Sequence, residues 1–214
     1  MKPSEQVLTF PRRLLDELGA FQGFSSDHAR YLDPIFGSGE LKFTLREHAE
    51  KDFALKQLIP YVLLVRDGRV LFYVRGKKTG ESRLQLKGSV GIGGHINPVD
   101  DSLFSNASGG PRGLYDAAVE REVREEVSLG EVLSKRVVGL INDDGNEVGK
   151  VHFGVVHLWE LGPGEVTKAE GAITQLEFLP AEAILARKDV EVESWSRFCL
   201  ENFKGILGSV TPRP

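Results

Sequence analysis

Two apolar runs, Leu58 to Val65 and Val70 to Val74, flank the tetrad Arg66-Asp67-Gly68-Arg69. No other part of the chain limits its fold so strongly. Runs rich in Val, Leu, Phe and Tyr favour extended backbone. Asp-Gly between them favours a tight turn, because glycine accepts the positive φ that the turn requires. A β-hairpin is therefore expected. Val132 to Asn142 and Val151 to Leu161 read as further strands, joined across Asp143-Asp144-Gly145-Asn146, and Ile173 to Phe178 as another. Helical spacing marks Leu114 to about Leu129, stopped by Gly130, then Ala181 to Arg187, and finally Glu193 to Leu207, where Trp195, Phe198, Cys199, Phe203 and Ile206 recur at helical intervals. With strands outnumbering helices and both hairpins and crossovers present, the economical architecture is a mixed sheet with helices packed on it.

Ahead of the hairpin, Val7 to Phe10 reads as a short strand, Arg12 to Gly19 as a helix ended by its glycine, and Glu40 to Leu45 as a strand. Phe21, Phe24, Tyr31, Ile35 and Phe36 make this stretch too apolar for a disordered tail. We therefore divide the chain into an extension, residues 1–55, packed on a main domain, residues 56–214. Charge is nearly balanced, 27 Lys and Arg against 31 Asp and Glu, so no basic footprint points to nucleic acid. The single cysteine, Cys199, cannot form an intramolecular disulfide or a cysteine metal cluster. The run Leu58 to Val65, interrupted by Pro60 and Tyr61, is too short to span a bilayer. The opening Met1-Lys-Pro-Ser-Glu-Gln6 lacks the apolar stretch of a secretory signal. A soluble, cytoplasmic protein is the expectation.

Chemistry concentrates in Tyr115 to Leu129. Glu122, Glu125 and Glu126 stand at i, i+3 and i+4, so on a helix they share one face. Like charges so placed destabilise an isolated helix, and a divalent cation among them removes that cost, since hard cations take oxygen ligands. Ala118 lies on the same side, small enough to leave access, while Val119, Val123 and Val127 form an adjacent apolar stripe that can anchor the helix. Taken alone, such a stretch is more often a solvated face with Arg121 and Arg124 as partners. The upstream Gly93-Gly94-His95 changes the weighing. It follows a strand and precedes the helix, so bare backbone can approach a metal or phosphate beside the acids. Neither the P-loop order nor the Rossmann fingerprint fits these glycines: Lys87-Gly88-Ser89 inverts the first, and Ile96 stands where the second needs a small residue.

Gly93-Gly94-His95 followed by Arg121-Glu-Val-Arg-Glu-Glu126 resembles the Nudix box, G-x5-E-x7-R-E-U-x-E-E-x-G-U, with U a bulky aliphatic. The likeness covers about Lys56 to Pro180 and implies an α+β fold, an α/β/α sandwich around a mixed β-sheet, here with an N-terminal extension. The interrupted box looks like a small bacterial branch of predicted phosphoesterases. Counted from Gly94, the box's first acid falls at Asp100, and twenty residues rather than seven separate it from Arg121. Counted back from Arg121, the same position is Gly113, and the late glycine is Ser128. In the family the first Glu helps to hold the helix Arg, which leaves the partner of Arg121 open. The resemblance implies hydrolysis of a phosphoanhydride in a nucleoside diphosphate derivative with Mg2+ or Mn2+. Glu125 and Glu126 match the main metal ligands. Glu122 matches a ligand or the base for the attacking water, the carbonyl of Gly93 completes the set, and Arg121 orients Glu122. Gly94, His95 and Asp100 are the substrate-side candidates.

A further acid often joins from a later loop. The candidates are Asp143, Asp144 and Glu147, with Glu147 preferred because it stands at a strand edge, although Asp-Asp-Gly-Asn is also ordinary hairpin chemistry. His152 and His157 face opposite sides of a regular strand and are no ligand pair. Asn97 to Gly113 reads equally as a lid over substrate or as a mobile insertion. A catalytically silent nucleotide sensor of the same fold is the alternative function. A prenyl diphosphate isomerase ranks last, with Cys199 poorly placed for it. The N-terminal extension and the last helix suggest a homodimer.

Overall fold

The computed structural model describes residues 5–75, 87–100, 110–169 and 173–208. The loop read at Gly76 to Ser82, the run Leu84-Gln85-Leu86 and the centre of the suggested lid, 101–109, lie outside the described residues. The chain opens with β1 (Gln6–Pro11), α1 (Arg12–Glu17), β2 (Gly23–Ser25), α2 (His28–Gly37), β3 (Lys42–Leu45) and α3 (Arg46–Ala49). The hairpin β4 (Leu55–Arg66) and β5 (Arg69–Arg75) follows, then the short strands β6 (Gly88–Ser89) and β7 (Gly91–Ile92). Helix α4 (Gly110–Glu126) leads to β8 (Val127–Ser128), β9 (Val132–Asn142), α5 (Glu147–Lys150), β10 (His152–Leu161), β11 (Thr167–Lys168) and β12 (Ile173–Leu179). Three helices follow: α6 (Ala181–Leu185), α7 (Ser194–Glu201) and α8 (Phe203–Gly208). The result is an α+β fold on a mixed sheet with strand order β12-β5-β4-β10-β9-β2.

The hairpin forms as its turn residues dictate. Val65 pairs with Val70 and Arg66 with Arg69, and the turn takes positive φ at both centres, 50° at Asp67 and 71° at Gly68. Every residue of β4 from Lys56 to Val65 is buried, which explains its unbroken apolar run: a central strand covered on both faces does not alternate.

The chain divides into two compact units. The first comprises Met1–Pro60, Gly93–Arg121 and Gly139–Val155. In it β1 runs antiparallel to β3, from Gln6↔Leu45 to Thr9↔Lys42, and to β4, from Thr9↔Gln57 to Pro11↔Leu55. β2 pairs with β9 through Phe24↔Ile141. The aromatic residues before the hairpin enter this core. Phe10 and Phe153, both fully buried, meet edge to face at 5.5 Å, and Phe21 packs on Tyr31 at 5.2 Å.

The second unit comprises Tyr61–Ile92, Glu122–Val138 and Val156–Pro214. β5 pairs with β12, whose register shifts between Thr174 and Glu177, and Gln175 there adopts φ 54°. The helix expected over Glu193 to Leu207 is divided at Asn202 into α7 and α8, which bury Cys199, Leu200, Phe203 and Ile206. Burial pushes the Cys199 thiol well up, as suits a small core hydrophobe. Beside it the Tyr61 hydroxyl donates to Glu193 at 2.8 Å and shares a 2.7 Å hydrogen bond with Ser196, and Ser89 also donates to Glu193. Among the described residues, no helix is long and apolar enough to cross a membrane.

Candidate active site

Helix α4 carries the acids that the sequence singles out. Tyr115, Ala118, Val119, Val123 and Val127 are buried. Glu122 follows Ala118 by four positions and Val119 by three, so a carboxylate stands in line with core residues, and only 8% of Glu122 is exposed. Glu126 is half-buried and Glu125 is exposed. The acids thus grade outward from the core along one helix. Ala118, expected beside the acids and small enough to leave access, is fully buried. The helix ends at Glu126, not Leu129, because Val127 and Ser128 turn into a strand paired with Lys168 and Thr167, while the Ala169 amide donates to the Glu126 carbonyl at 3.0 Å.

Among the described residues, no group of three or more His, Cys, Asp or Glu side chains is gathered closely enough to hold a metal ion as it stands. The donor set nevertheless suits a hard divalent cation in kind: carboxylate oxygens at i, i+3 and i+4 of one helix, graded from buried to exposed.

Arg121, at the end of the first unit's share of α4, is held from two directions. Its Nε donates to Asp100 Oδ1 at 2.6 Å, and one terminal nitrogen reaches Asp100 Oδ2 and the His95 carbonyl, each at 3.0 Å. Asp100 is fully buried, and its Oδ2 also accepts from the Asn97 amide at 2.8 Å. Both oxygens are therefore engaged inside the protein. The substrate contact expected of Asp100 is corrected to an internal clamp on Arg121. Gly93 and Gly94 are half-buried in irregular backbone directly after β7. His95 follows them with its side chain 15% exposed, its Nδ1 3.5 Å from Glu5 and its ring 5.7 Å from that of His152.

The loop acids behave differently from the helix acids. Asp144 accepts both terminal nitrogens of Arg12 at 2.8 Å, Lys56 Nζ at 2.9 Å and Asn142 Nδ2 at 3.1 Å. The Arg12 guanidinium, aided by Lys56, holds this carboxyl well below the usual carboxylate range. Lys56 is itself fully buried, which lowers its pKa, and it also donates to the Gly149 carbonyl at 2.9 Å. Asp143, 3% exposed, accepts from Gln22 at 3.0 Å and from the Gly145 amide at 3.1 Å. Both acids serve the turn. Glu147 is not at a strand edge: it opens the short helix α5, exposed and paired with Lys150. Asn146 caps that helix by accepting from the Gly149 amide at 2.9 Å. At Gly149 a Cβ would collide with the Asp143 carbonyl, so glycine alone allows this close approach. His152 donates from Nδ1 to the Val148 carbonyl at 2.6 Å, and both His152 and His157 are enclosed.

Sequence reasoning passed over Glu5, Arg12, Gln22 and Lys56. Lys56 stands two residues ahead of the apolar run Leu58 to Val65, so the run itself does not announce its burial. The others act on residues about a hundred positions away, and no local spacing announces them.

No protein-family profile matches the chain. Protein YmaB of Bacillus subtilis (strain 168) is 34% identical to it, over 94% of this chain and 98% of YmaB. Among solved structures, Tm1382, a provisionally assigned Nudix hydrolase, superposes with a TM-score of 0.75 at 28% identity, covering 94% of this chain and all of Tm1382. The NUDIX domain of Shewanella oneidensis NrtR, solved with ADP ribose, matches with a TM-score of 0.50 at 12% identity over 71% of this chain and 88% of that domain, a likeness of fold alone. A match to YmaB over 94% of this chain and the Tm1382 fold over the same share agree with the glycine turn and the acid-bearing helix: this chain belongs to the family of YmaB and, by its fold, to the Nudix superfamily.

Proposed function

We propose that this protein is a metal-dependent hydrolase that cleaves a phosphoanhydride bond in a nucleoside diphosphate derivative. The observation that carries this reading is the Asp100–Arg121 clamp. The two residues are separated by twenty others in sequence, yet they are joined by two hydrogen bonds, so a box interrupted along the chain is closed in space. Membership of a hydrolase superfamily supports the same class of reaction.

In this reading Glu122, Glu125 and Glu126, the Gly93 carbonyl and, from the later loop, Glu147 would hold Mg2+ or Mn2+. When bound, the cation supplies positive charge to the diphosphate and activates water toward phosphorus. The enclosed Glu122 accepts the proton of the attacking water. The water oxygen forms the new bond to phosphorus, the bridging P–O bond breaks, and a phosphate monoester leaves. Arg121, fixed by Asp100, orients this end of the helix. Gly94, through its backbone, and His95, through its ring, meet the substrate phosphates. The ligand class fits that of the NrtR domain, which was solved with ADP ribose. We also propose a cytoplasmic homodimer, for which a monomeric mass by light scattering would be the contrary result.

Turnover of a panel of nucleoside diphosphate derivatives in Mg2+ or Mn2+ tests the reaction: phosphate monoester is expected with metal and absent with chelator. The second reading, a silent nucleotide-binding module, draws on the dispersed acid side chains. Nucleotide binding without turnover in Mn2+ would favour it.

A further inference from the structure

The segment ahead of the hairpin touches both loops that flank the proposed chemistry, and all of these residues belong to one compact unit. On the first loop, the Leu8 amide of β1 donates to the Ile96 carbonyl at 3.0 Å. Glu5 faces His95 Nδ1 at 3.5 Å. Glu5 is not a loose end: its carbonyl accepts from the Arg46 amide at 2.8 Å, and its carboxylate accepts from the Arg46 guanidinium at the same distance. Arg121 grips the His95 carbonyl from the other direction. The turn after Gly93-Gly94 is therefore held at consecutive residues by two elements.

On the second loop, Arg12 makes its two-pronged bond to Asp144. Gln22 donates to Asp143 at 3.0 Å and accepts from the Asp144 amide at 2.9 Å. The Phe21 carbonyl accepts from Asn142 at 2.6 Å. Asp143 in turn binds Asn146, which caps the helix that begins with Glu147. Bonds therefore run in series from the N-terminal segment to the position of Glu147.

We propose that Glu5 to Gln22 is a positioning element of the active site: Glu5 and Leu8 fix the Gly93–Asn97 turn, and Arg12, Phe21 and Gln22 fix the Asn142–Asn146 turn. Its catalytic consequence rests on the hydrolase reading, whereas the grip itself does not. A two-pronged guanidinium–carboxylate bond and amide bonds at both edges of a turn leave that turn one geometry, and such preorganisation is what a site made of backbone and loop ligands needs.

Glu5→Gln, Arg12→Ala and Gln22→Ala are compared with wild type in the full chain, with Arg13→Ala as control. Arg13 shares α1 with Arg12 but is exposed, paired with Glu17 and Glu40. Two quantities are read: amide hydrogen exchange over 93–97 and 142–150, and the affinity for Mn2+ alone by electron paramagnetic resonance. We expect exchange to quicken in the first segment for Glu5→Gln and in the second for Arg12→Ala and Gln22→Ala. Mn2+ affinity should fall about tenfold or more, as when an outer-shell partner of a metal ligand is lost. Arg12→Lys should recover part of that affinity, and Arg13→Ala should match wild type. Should Arg12→Ala not fold, Glu5→Gln and Gln22→Ala carry the same comparison. Unchanged exchange overturns the proposal, as does quickened exchange with unchanged Mn2+ affinity, which would make the segment a brace of the fold alone. A wild type that binds no Mn2+ defeats the hydrolase reading instead, and the exchange data alone then uphold or overturn the grip.

Discussion

The acids of the loops and the acids of the helix are the same chemical groups in different settings. Asp100, Asp143 and Asp144 are closed in by arginine, lysine, glutamine and backbone amides, and Asp100 and Asp143 are almost wholly removed from solvent. Glu122, Glu126 and Glu125 instead step outward along one helix, from 8% exposure at Glu122 to an exposed side chain at Glu125. An acid whose lone pairs meet several fixed donors is a strut, since its bonds would have to break before it could bind anything else. Acids repeated on one helix face at i, i+3 and i+4 oppose helix formation unless something positive arrives. The two sets differ in where the fold places each carboxylate, within turns bound to distant residues or graded along one helix, and not in residue type.

The sharpest way to break this contrast is to remove a strut. Asp144→Ala leaves Lys56 fully buried without its carboxylate, and unfolding by denaturant should show a loss of about 3–5 kcal/mol, the cost of breaking a buried pair from one side. The same strut predicts an acid limb. Asp144 has a folded pKa below its unfolded value of about 3.9, so its contribution is complete above that pH and disappears as pH falls through the depressed folded value. Equilibrium unfolding followed from pH 5 downward should show wild type losing stability more steeply than Asp144→Asn, which has already lost the charge. Next in size, Asp100→Asn weakens the hold on Arg121. Hydrolysis should fall about 10- to 100-fold, as for an outer-shell partner of a metal site, and Asp100→Glu should recover less than full activity because a longer side chain shifts a fully buried carboxylate whose two oxygens are both engaged. Smallest is Arg13→Ala, whose partners Glu17 and Glu40 are solvent-facing: the unfolding midpoint should not move measurably.

Local chemistry was legible in the sequence and distant chemistry was not. Asp67-Gly68 announced the β4–β5 hairpin because a two-residue turn depends on its own φ angles. β9 runs from Val132 to Asn142, the limits its apolar run suggests. Strand β2, three residues long, has too little pattern to be seen, and the end of α4 at Glu126 depends on pairing with Thr167 and Lys168 some forty positions later. At the site, helical spacing alone placed the three glutamates on α4, and counting from Gly94 reached Asp100. Its partnership with Arg121 was hidden by the intervening stretch. Asp143 and Asp144 looked like turn residues or ligands equally, and only the arrival of Arg12 and Gln22 from the other end of the chain distinguishes the two.

The central claim, that the outward-graded helix acids serve a metal-dependent hydrolysis, is tested most directly by turnover of the nucleoside diphosphate panel by wild type and Glu125→Gln side by side in Mn2+. Glu125 is exposed, so the substitution leaves the fold intact. The account predicts phosphate monoester from wild type and a loss of about 10^3-fold in the variant, the several kcal/mol that a bound metal contributes to the transition state. Equal turnover by both proteins, or none from a wild type that binds nucleotide and Mn2+, would contradict it.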